Sequence, residues 1–128
     1  MRNMSFAFTE DAIREQRKTV TRRMGWRFLK AGELVQPVRK AMGLKKGARI
    51  ERMGPPIQIV SVTRERLNAI TFEELEREGF PEGHPKGFPS VFIDFFCAAN
   101  GCKPFDEVTR IEFAYTPSPS PVEKGNDA

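Results

Sequence analysis

Residue types that build metal sites and disulfide frameworks are scarce in this chain of 128 residues. It contains one histidine, His84, and two cysteines, Cys97 and Cys102, in the stretch C-A-A-N-G-C. One histidine excludes multi-histidine metal centres, and two thiols do not supply the four ligands of a structural zinc site. Disulfide scaffolds belong to secreted proteins, and the sequence begins without the apolar core of a secretion signal. We therefore expect reduced thiols, no metal and no cofactor, in a cytoplasmic protein.

Long apolar runs and familiar catalytic fingerprints are also missing. No segment approaches the roughly 18 apolar residues that cross a bilayer, so no membrane partner is expected. The P-loop, the G-x-S-x-G elbow and the dinucleotide-binding fingerprint are absent. Eleven phenylalanines and 39% hydrophobic residues are nevertheless enough for the core of one domain. We expect that domain to cover residues 1–115 and the polar, Pro/Ser-rich tail 116–128 to be disordered.

Charge is divided unevenly along the chain. Residues 1–66 contain 16 Lys and Arg against 6 Asp and Glu, whereas residues 67–128 contain 5 against 11. A strongly basic half indicates an anionic partner, most commonly nucleic acid. Alternatively, the two halves pair with each other across the surface of the protein itself.

The first half of the chain predicts one short helix and several strands. A helix is expected after Thr9, whose side chain can cap it, and the β-branched stretch R-K-T-V-T-R-R at residues 17–23 is typical of a strand. Residues 33–38 predict a strand that Pro37 places at a sheet edge or exit. Two further strands are expected on either side of the Gly-Pro-Pro break at residues 54–56.

The second half predicts two helices and a closing strand. Thr71 opens a capping box, and the helix that follows is expected to run to about Glu78, where Gly79 stops it. A second helix is expected from Pro89, and V-T-R-I-E-F-A-Y alternates as a strand. The second helix has a stripe predicted to be buried: Phe92, Phe95, Phe96 and Ala99. This order favours an α+β fold with a small, twisted, mostly antiparallel sheet or barrel and attached helices.

Five features in order resemble a known family. Q-R-K-T-V-T-R-R resembles the G-x-K-x-x-[ET]-x-R motif of ASCH domains, a branch of the PUA-like superfamily. A-G-E-L-V, E-R-E-G-F, a phenylalanine-rich helix and V-T-R-I-E-F then follow as in that family, over roughly residues 5–115. Gln16 stands where the family usually has glycine, and Thr21 where many members have glutamate. The resemblance implies a PUA-like small twisted β-barrel with attached helices.

The K-T-x-T variant of the motif is shared with small bacterial ASCH enzymes that hydrolyse N4-acetylcytidine. By position, the resemblance implies a catalytic set of Lys18, Thr21 and Glu78, with Glu76 as the alternative carboxylate. A regular strand would place Lys18 and Thr21 on opposite faces. The site therefore requires the chain to bend between them.

We accordingly expect an ASCH-type protein that binds RNA or a modified nucleoside in a cleft between barrel and helices. Lys18, Thr21, Arg23 and Glu78 would line this cleft, and Trp26 would either stack on a base or be an ordinary half-buried aromatic. Backbone phosphates would meet five basic residues: Arg17, Arg22, Lys45, Lys46 and Arg49.

Two other functions are alternatives to RNA or nucleoside binding. The first is hydrolysis, either of N4-acetylcytidine-type amides or of RNA, since nuclease activity is also linked to ASCH domains. The second is non-enzymatic: an adaptor, for example of a phage, that binds a basic protein through its acidic half.

Overall fold

Five strands form one mixed sheet in the computed structural model, which describes residues 1–40 and 46–117. The strands are β1 (Arg2–Ser5), β2 (Val20–Arg23), β3 (Leu34–Val38), β4 (Ile57–Arg66) and β5 (Glu107–Tyr115). The helices are α1 (Glu10–Arg14), α2 (Phe72–Glu78) and α3 (Pro89–Asn100), with a 3-10 turn at Leu67–Ala69. The predicted α+β class is confirmed. Most of the predicted disordered tail, from residue 118 onward, lies outside the described residues.

The sheet is open and does not close into the barrel that the ASCH resemblance implies. Its strand order is β1-β3-β4-β5-β2, in which only β1 and β3 pair in parallel. Within residues 1–40 and 46–117, no ladder joins the outer strands β1 and β2. A side chain links them instead, because the Arg23 guanidinium of β2 donates a hydrogen bond to the Ser5 carbonyl of β1. The two edges therefore lie close together, with room between them for a cleft.

Strand β3 corrects the prediction made from Pro37. It lies between β1 and β4 and is not an edge strand. Proline is tolerated there because β4 pairs with β3 only at Leu34 and Val35. The Pro37 carbonyl still accepts a 2.9 Å hydrogen bond from the Met53 amide. The strand expected before the Gly-Pro-Pro break is reduced to one bridge, between Val38 and Arg52.

A β-bulge in β4 changes which side chains face the core. The register against β5 shifts between Ile59 and Ser61, so strict alternation does not continue past Val60. Val60 is 47% exposed, while Val62 packs against the main core cluster. Strict alternation would place both valines on one face of the strand, and the inserted residue separates them.

Helices α2 and α3 begin and end where the sequence predicts. The Thr71 hydroxyl accepts a 3.2 Å hydrogen bond from the Glu74 amide, and Gly79 ends α2 with φ +102°. A side chain at Gly79 would also be crowded, since an added Cβ would lie 3.0 Å from Ala12 Cβ. The end of α2 is thereby held against the segment that leads into β2.

The stripe predicted on α3 is only half buried. Phe92 and Phe96 are 3% and 6% exposed, but Phe95 is half-buried and Ala99 is exposed. Phe92 and Phe96 belong to a hydrophobic cluster beneath α2 and α3, separate from the cluster on the sheet that contains Phe6. Phe6 and these α3 residues line one cleft, which therefore lies where the two clusters meet.

Candidate functional site

A cleft of about 490 Å³ opens between the β1 and β2 edges of the sheet and α3. This volume falls within the range of small-molecule sites. Its walls come from the segment between β1 and α1, from β2 and the turn that follows it, and from the ends of α2 and α3. The polar and charged residues that line it are Ser5, Thr9, Lys18, Thr21, Arg22, Arg23, Glu78 and Asn100.

The chain bends between Lys18 and Thr21, as the site requires. Strand β2 begins only at Val20. The Lys18 amide donates to the Ala12 carbonyl at 3.2 Å, and the Thr19 amide to the Arg77 carbonyl at 2.9 Å. Lys18 therefore belongs to the turn between α1 and β2. Both Lys18 and Thr21 are 3% exposed and line the same cleft.

Gln16 accounts for the turn that precedes Lys18. Its φ of +58° lies in the left-handed region, which glycine adopts without steric cost and other residues do not. The ASCH motif usually has glycine at this position, and the left-handed backbone at Gln16 explains that preference. This chain tolerates a glutamine there.

Replacing Gln16 by glycine is expected to raise the free energy of unfolding by about 0.5–1 kcal/mol. Relief of the left-handed strain contributes roughly 1–2 kcal/mol, and the greater freedom of glycine in the unfolded chain offsets part of it. Urea denaturation measures the difference, with Gln16→Val as the control that should destabilise. A glycine variant less stable than the parent protein would contradict this account of the turn.

Glu78 is the carboxylate of the cleft, and Glu76 is not. Glu78 is 3% exposed, whereas Glu76 is exposed to solvent. Oε1 of Glu78 accepts a hydrogen bond from Lys18 Nζ at 3.0 Å, and Oε2 accepts one from Arg22 Nη1 at 2.9 Å. Lys18 Nζ also donates to the Glu78 backbone carbonyl at 2.5 Å. The buried ammonium thus satisfies a carbonyl that the end of α2 leaves without a helical partner.

The electrostatics of this pair follow from its burial. A carboxylate at a helix C-terminus is unfavourable, and two cations offset that cost at Glu78. Burial lowers the pKa of Lys18, an effect that Glu78 opposes and that the nearby Arg23 and Arg22 reinforce. Burial likewise lowers the pKa of Arg23 to about 10. The cleft therefore holds three cationic groups against one carboxylate.

Arg22 is buried, so the prediction that it contacts backbone phosphates is wrong. Arg22 is 4% exposed. Its guanidinium forms salt bridges with Glu78, with Glu74 at 2.6 Å and with Glu65 at 2.5 Å. Hydrogen bonds from Arg110 and Arg22 lower the pKa of Glu74 to about 2. Arg22 therefore holds Glu78 in position. The pairs of Arg22 with Glu74 and Glu78 also join the basic and acidic halves, so part of the charge asymmetry serves internal pairing.

Arg23 differs from Arg22 in its partners. Its Nε donates to Thr21 Oγ1 at 3.1 Å, and its guanidinium carbon lies 4.8 Å from the centre of the Phe6 ring. No carboxylate lies within salt-bridge distance of Arg23 in the described part of the chain. Arg23 thus orients the Thr21 hydroxyl and contributes a positive charge that no protein carboxylate neutralises by direct contact.

The remaining predicted residues are more dispersed. Trp26 is half-buried and lines the cleft. The centre of its ring lies 5.3 Å from that of Phe28, and its backbone is left-handed with a φ of +56°. Arg17 is exposed and pairs with Glu15 at 2.8 Å. Lys46 and Arg49 are exposed and do not line the cleft, and Lys45 lies outside the described residues.

Sequence reasoning missed the aromatic mouth of the cleft. Phe8 is 71% exposed, and its ring meets that of Phe95 edge to face at 5.1 Å. Both residues line the cleft. The F-A-F alternation ahead of Thr9 was the only sequence signal for this aromatic pair. It does not indicate a contact with α3, because the two segments are far apart in the chain.

Residues 1–40 and 46–117 contain neither a candidate metal site nor a candidate membrane-spanning helix. No group of three or more His, Cys, Asp and Glu side chains there could hold a metal ion. No helix within these ranges has the length and apolar character needed to cross a bilayer. Cys97 and Cys102 are free thiols whose sulfur atoms lie 3.7 Å apart.

Comparisons with known proteins agree with the fold. No protein-family model and no curated protein sequence matches the chain. Among solved structures, the ASCH domain from Lactobacillus crispatus JV V101 superposes with a TM-score of 0.61 at 14% identity, covering 88% of this chain and 77% of that one. Protein EF3133 from Enterococcus faecalis V583, a DUF984 protein, gives a TM-score of 0.66 at 14% identity, covering 98% and 82%. The chain therefore has the fold of an ASCH domain, the fold that the resemblance in its sequence implies.

Proposed function

We propose that the cleft binds a nucleoside unit of RNA, free or within a strand. The observation that carries this proposal is the combination of polar groups and aromatic walls in one cleft: Lys18, Thr21, Arg23 and Glu78 line it together with Trp26 and the α3 phenylalanines. A nucleobase has a hydrogen-bonding edge and two apolar faces, and proteins hold unpaired bases by satisfying both.

The hydrogen-bond capacity left in the cleft matches such an edge. Lys18 has three N–H donors when protonated, and two of them reach Glu78. Each Glu78 carboxylate oxygen accepts one hydrogen bond within the protein, which leaves lone pairs free. One remaining donor beside a carboxylate complements a base that carries an acceptor and an exocyclic amino group, as cytosine and adenine do.

Charge around the cleft supports a polyanionic ligand. Arg23 has no direct carboxylate partner in the described residues, and Arg17 is exposed beside Lys18. Lys46 and Arg49 add exposed positive charge elsewhere on the same basic half of the chain. The exposed pair of Arg17 with Glu15 contributes little stability, so Arg17 can exchange that partner for a phosphate.

Binding of a short single-stranded RNA is expected to weaken steeply with salt. Contact of Arg17, Lys46 and Arg49 with phosphates gives a slope of about −2 in log affinity against log salt, or roughly a 20-fold loss between about 50 and about 200 mM. Fluorescence anisotropy with a labelled hexacytidylate measures it. Cytidine carries no phosphate and is the control, because its binding should change little over the same range. Absence of binding by both ligands would refute the proposed function.

A second function is favoured by the position of Lys18. We propose, as the alternative, hydrolysis of N4-acetylcytidine-type amides, which the ASCH resemblance implies. A lysine whose pKa is lowered by burial can act as a base at a lower pH than an ordinary lysine. In its neutral form it would take a proton from water or from the Thr21 hydroxyl as that oxygen attacks the amide carbonyl. It would then return the proton to the exocyclic nitrogen as the carbon–nitrogen bond breaks, releasing cytidine and leaving acetate, or an acetyl-threonine that water hydrolyses. The nuclease and adaptor hypotheses stay predictions.

A further inference from the structure

Phe8, Phe95 and Lys86 form a distinct aromatic surface at the mouth of the cleft. The two rings meet edge to face at 87°, and Lys86 Nζ lies 4.7 Å from the centre of the Phe95 ring. Phe8 and Phe95 line the cleft. We call these three residues the mouth cluster.

Hydrogen bonds hold the backbone that carries Phe8, although the Phe8 side chain is exposed. Phe8 lies in a turn closed by a 3.1 Å hydrogen bond from the Thr9 amide to the Phe6 carbonyl. Phe6 is 2% exposed, and its amide donates to the Val38 carbonyl at 2.9 Å. The other ring, Phe95, lies on helix α3. An anchored backbone on both sides of the pair reduces the conformational entropy that is lost on binding.

Trp26, which lines the cleft, forms a second aromatic surface with Phe28. Their ring centres lie 5.3 Å apart at a tilt of 34°, and the Arg2 guanidinium lies 4.2 Å from the centre of the Phe28 ring. The Gly25 carbonyl beside Trp26 accepts a hydrogen bond from the buried Thr109 hydroxyl, which in turn accepts one from Arg64 at 2.8 Å. These two hydrogen bonds therefore stabilise the left-handed turn that contains Trp26.

Two aromatic surfaces, each with a cation against a ring, fit single-stranded nucleic acid. Bases of a single strand expose their faces for stacking, and the cations meet the adjoining backbone. In a duplex the base faces are covered by neighbouring pairs.

We propose that the mouth cluster stacks a base next to the one held in the cleft, so that the ligand is a single-stranded RNA segment. This inference rests on the proposed function of the cleft. It distinguishes the ligand from a free nucleoside, which supplies only one base, and from a duplex, whose bases are not available for stacking.

The test compares Phe8→Ala with Phe72→Ala. Phe72 is 60% exposed and forms a similar edge-to-face pair with Phe88 at 5.9 Å, but it does not line the cleft. Phe8→Ala is expected to weaken binding of single-stranded hexacytidylate by about 5- to 150-fold, Phe8→Trp to retain it, and Phe72→Ala to leave it unchanged. Phe8→Ala should weaken binding of cytidine, which supplies only one base, less than binding of hexacytidylate.

The outcomes separate this inference from the proposed function. If the parent protein binds neither cytidine nor hexacytidylate, the function of the cleft is wrong. If it binds both but Phe8→Ala binds hexacytidylate as tightly as the parent, only the stacking role is overturned. An equal loss of cytidine and hexacytidylate binding, or tighter binding of a duplex than of the single strand, would also overturn it.

Discussion

Replacing Glu78 by alanine is expected to lower the free energy of unfolding by about 3–5 kcal/mol, because it leaves two buried cations without their shared carboxylate. Lys18 loses its only salt-bridge partner in the described residues, and Arg22 loses one of three. The side chains of Lys18 and Arg22 are 4% and 1% exposed, so water cannot readily replace the carboxylate. Urea denaturation monitored through Trp26 fluorescence measures the change.

Glu76→Ala is the matched control for Glu78→Ala. Glu76 lies on the same helix, two residues away, but is exposed, so its removal should change stability by less than about 0.5 kcal/mol. The double variant Lys18→Met/Glu78→Leu should recover much of the loss, since it removes the cation together with its partner while Arg22 keeps Glu74 and Glu65. Equal effects of Glu78→Ala and Glu76→Ala would contradict a buried charge network.

Replacing Lys18 by alanine is expected to reduce hydrolysis of N4-acetylcytidine by about 10²- to 10⁴-fold if the chain is an amidohydrolase, which is the usual contribution of a general base. The neutral amine is the active form. The rate of the parent protein should therefore rise with pH and level off above the pKa of Lys18, which burial places below that of an ordinary lysine. Chromatographic detection of released cytidine across a pH series measures both effects.

Arg17→Ala is the control for Lys18→Ala, because Arg17 is adjacent but exposed and should leave the rate and its pH dependence unchanged. Full activity of Lys18→Ala would exclude lysine as the base. Intact N4-acetylcytidine at every pH would remove the hydrolase alternative and leave the binding proposal to the salt experiment.

Local signals in the sequence were sufficient for much of the fold. Thr71, Gly79 and Pro89 act within a few residues of their own helix ends, so the limits of α2 and α3 could be predicted from them. Predictions that depended on a neighbouring strand did worse. Pro37 indicated an edge, yet β3 is internal, because a prolyl carbonyl still pairs and the missing N–H falls where β4 makes no ladder bond.

The residues of the candidate site could likewise be predicted only in part from the sequence. The motif singled out Lys18, Thr21 and Glu78, and the structure brings all three to one cleft. It could not decide between Glu76 and Glu78, because that choice depends on which face of α2 meets β2. Nor could it separate Arg22 from Arg23: both are arginines in one strand, but only Arg22 has its guanidinium among carboxylates of α2 and β4.

The sequence by itself determined the α+β class, the ends of α2 and α3 and the resemblance to ASCH domains. These follow from residue preferences that act over a few positions along the chain. The tertiary structure alone decided that the sheet stays open, that Arg22 is buried, and that Phe8 meets Phe95 at the mouth of the cleft. The Lys18–Glu78 contact joins residues 60 positions apart, and burial at such a contact depends on how distant segments pack rather than on local preference.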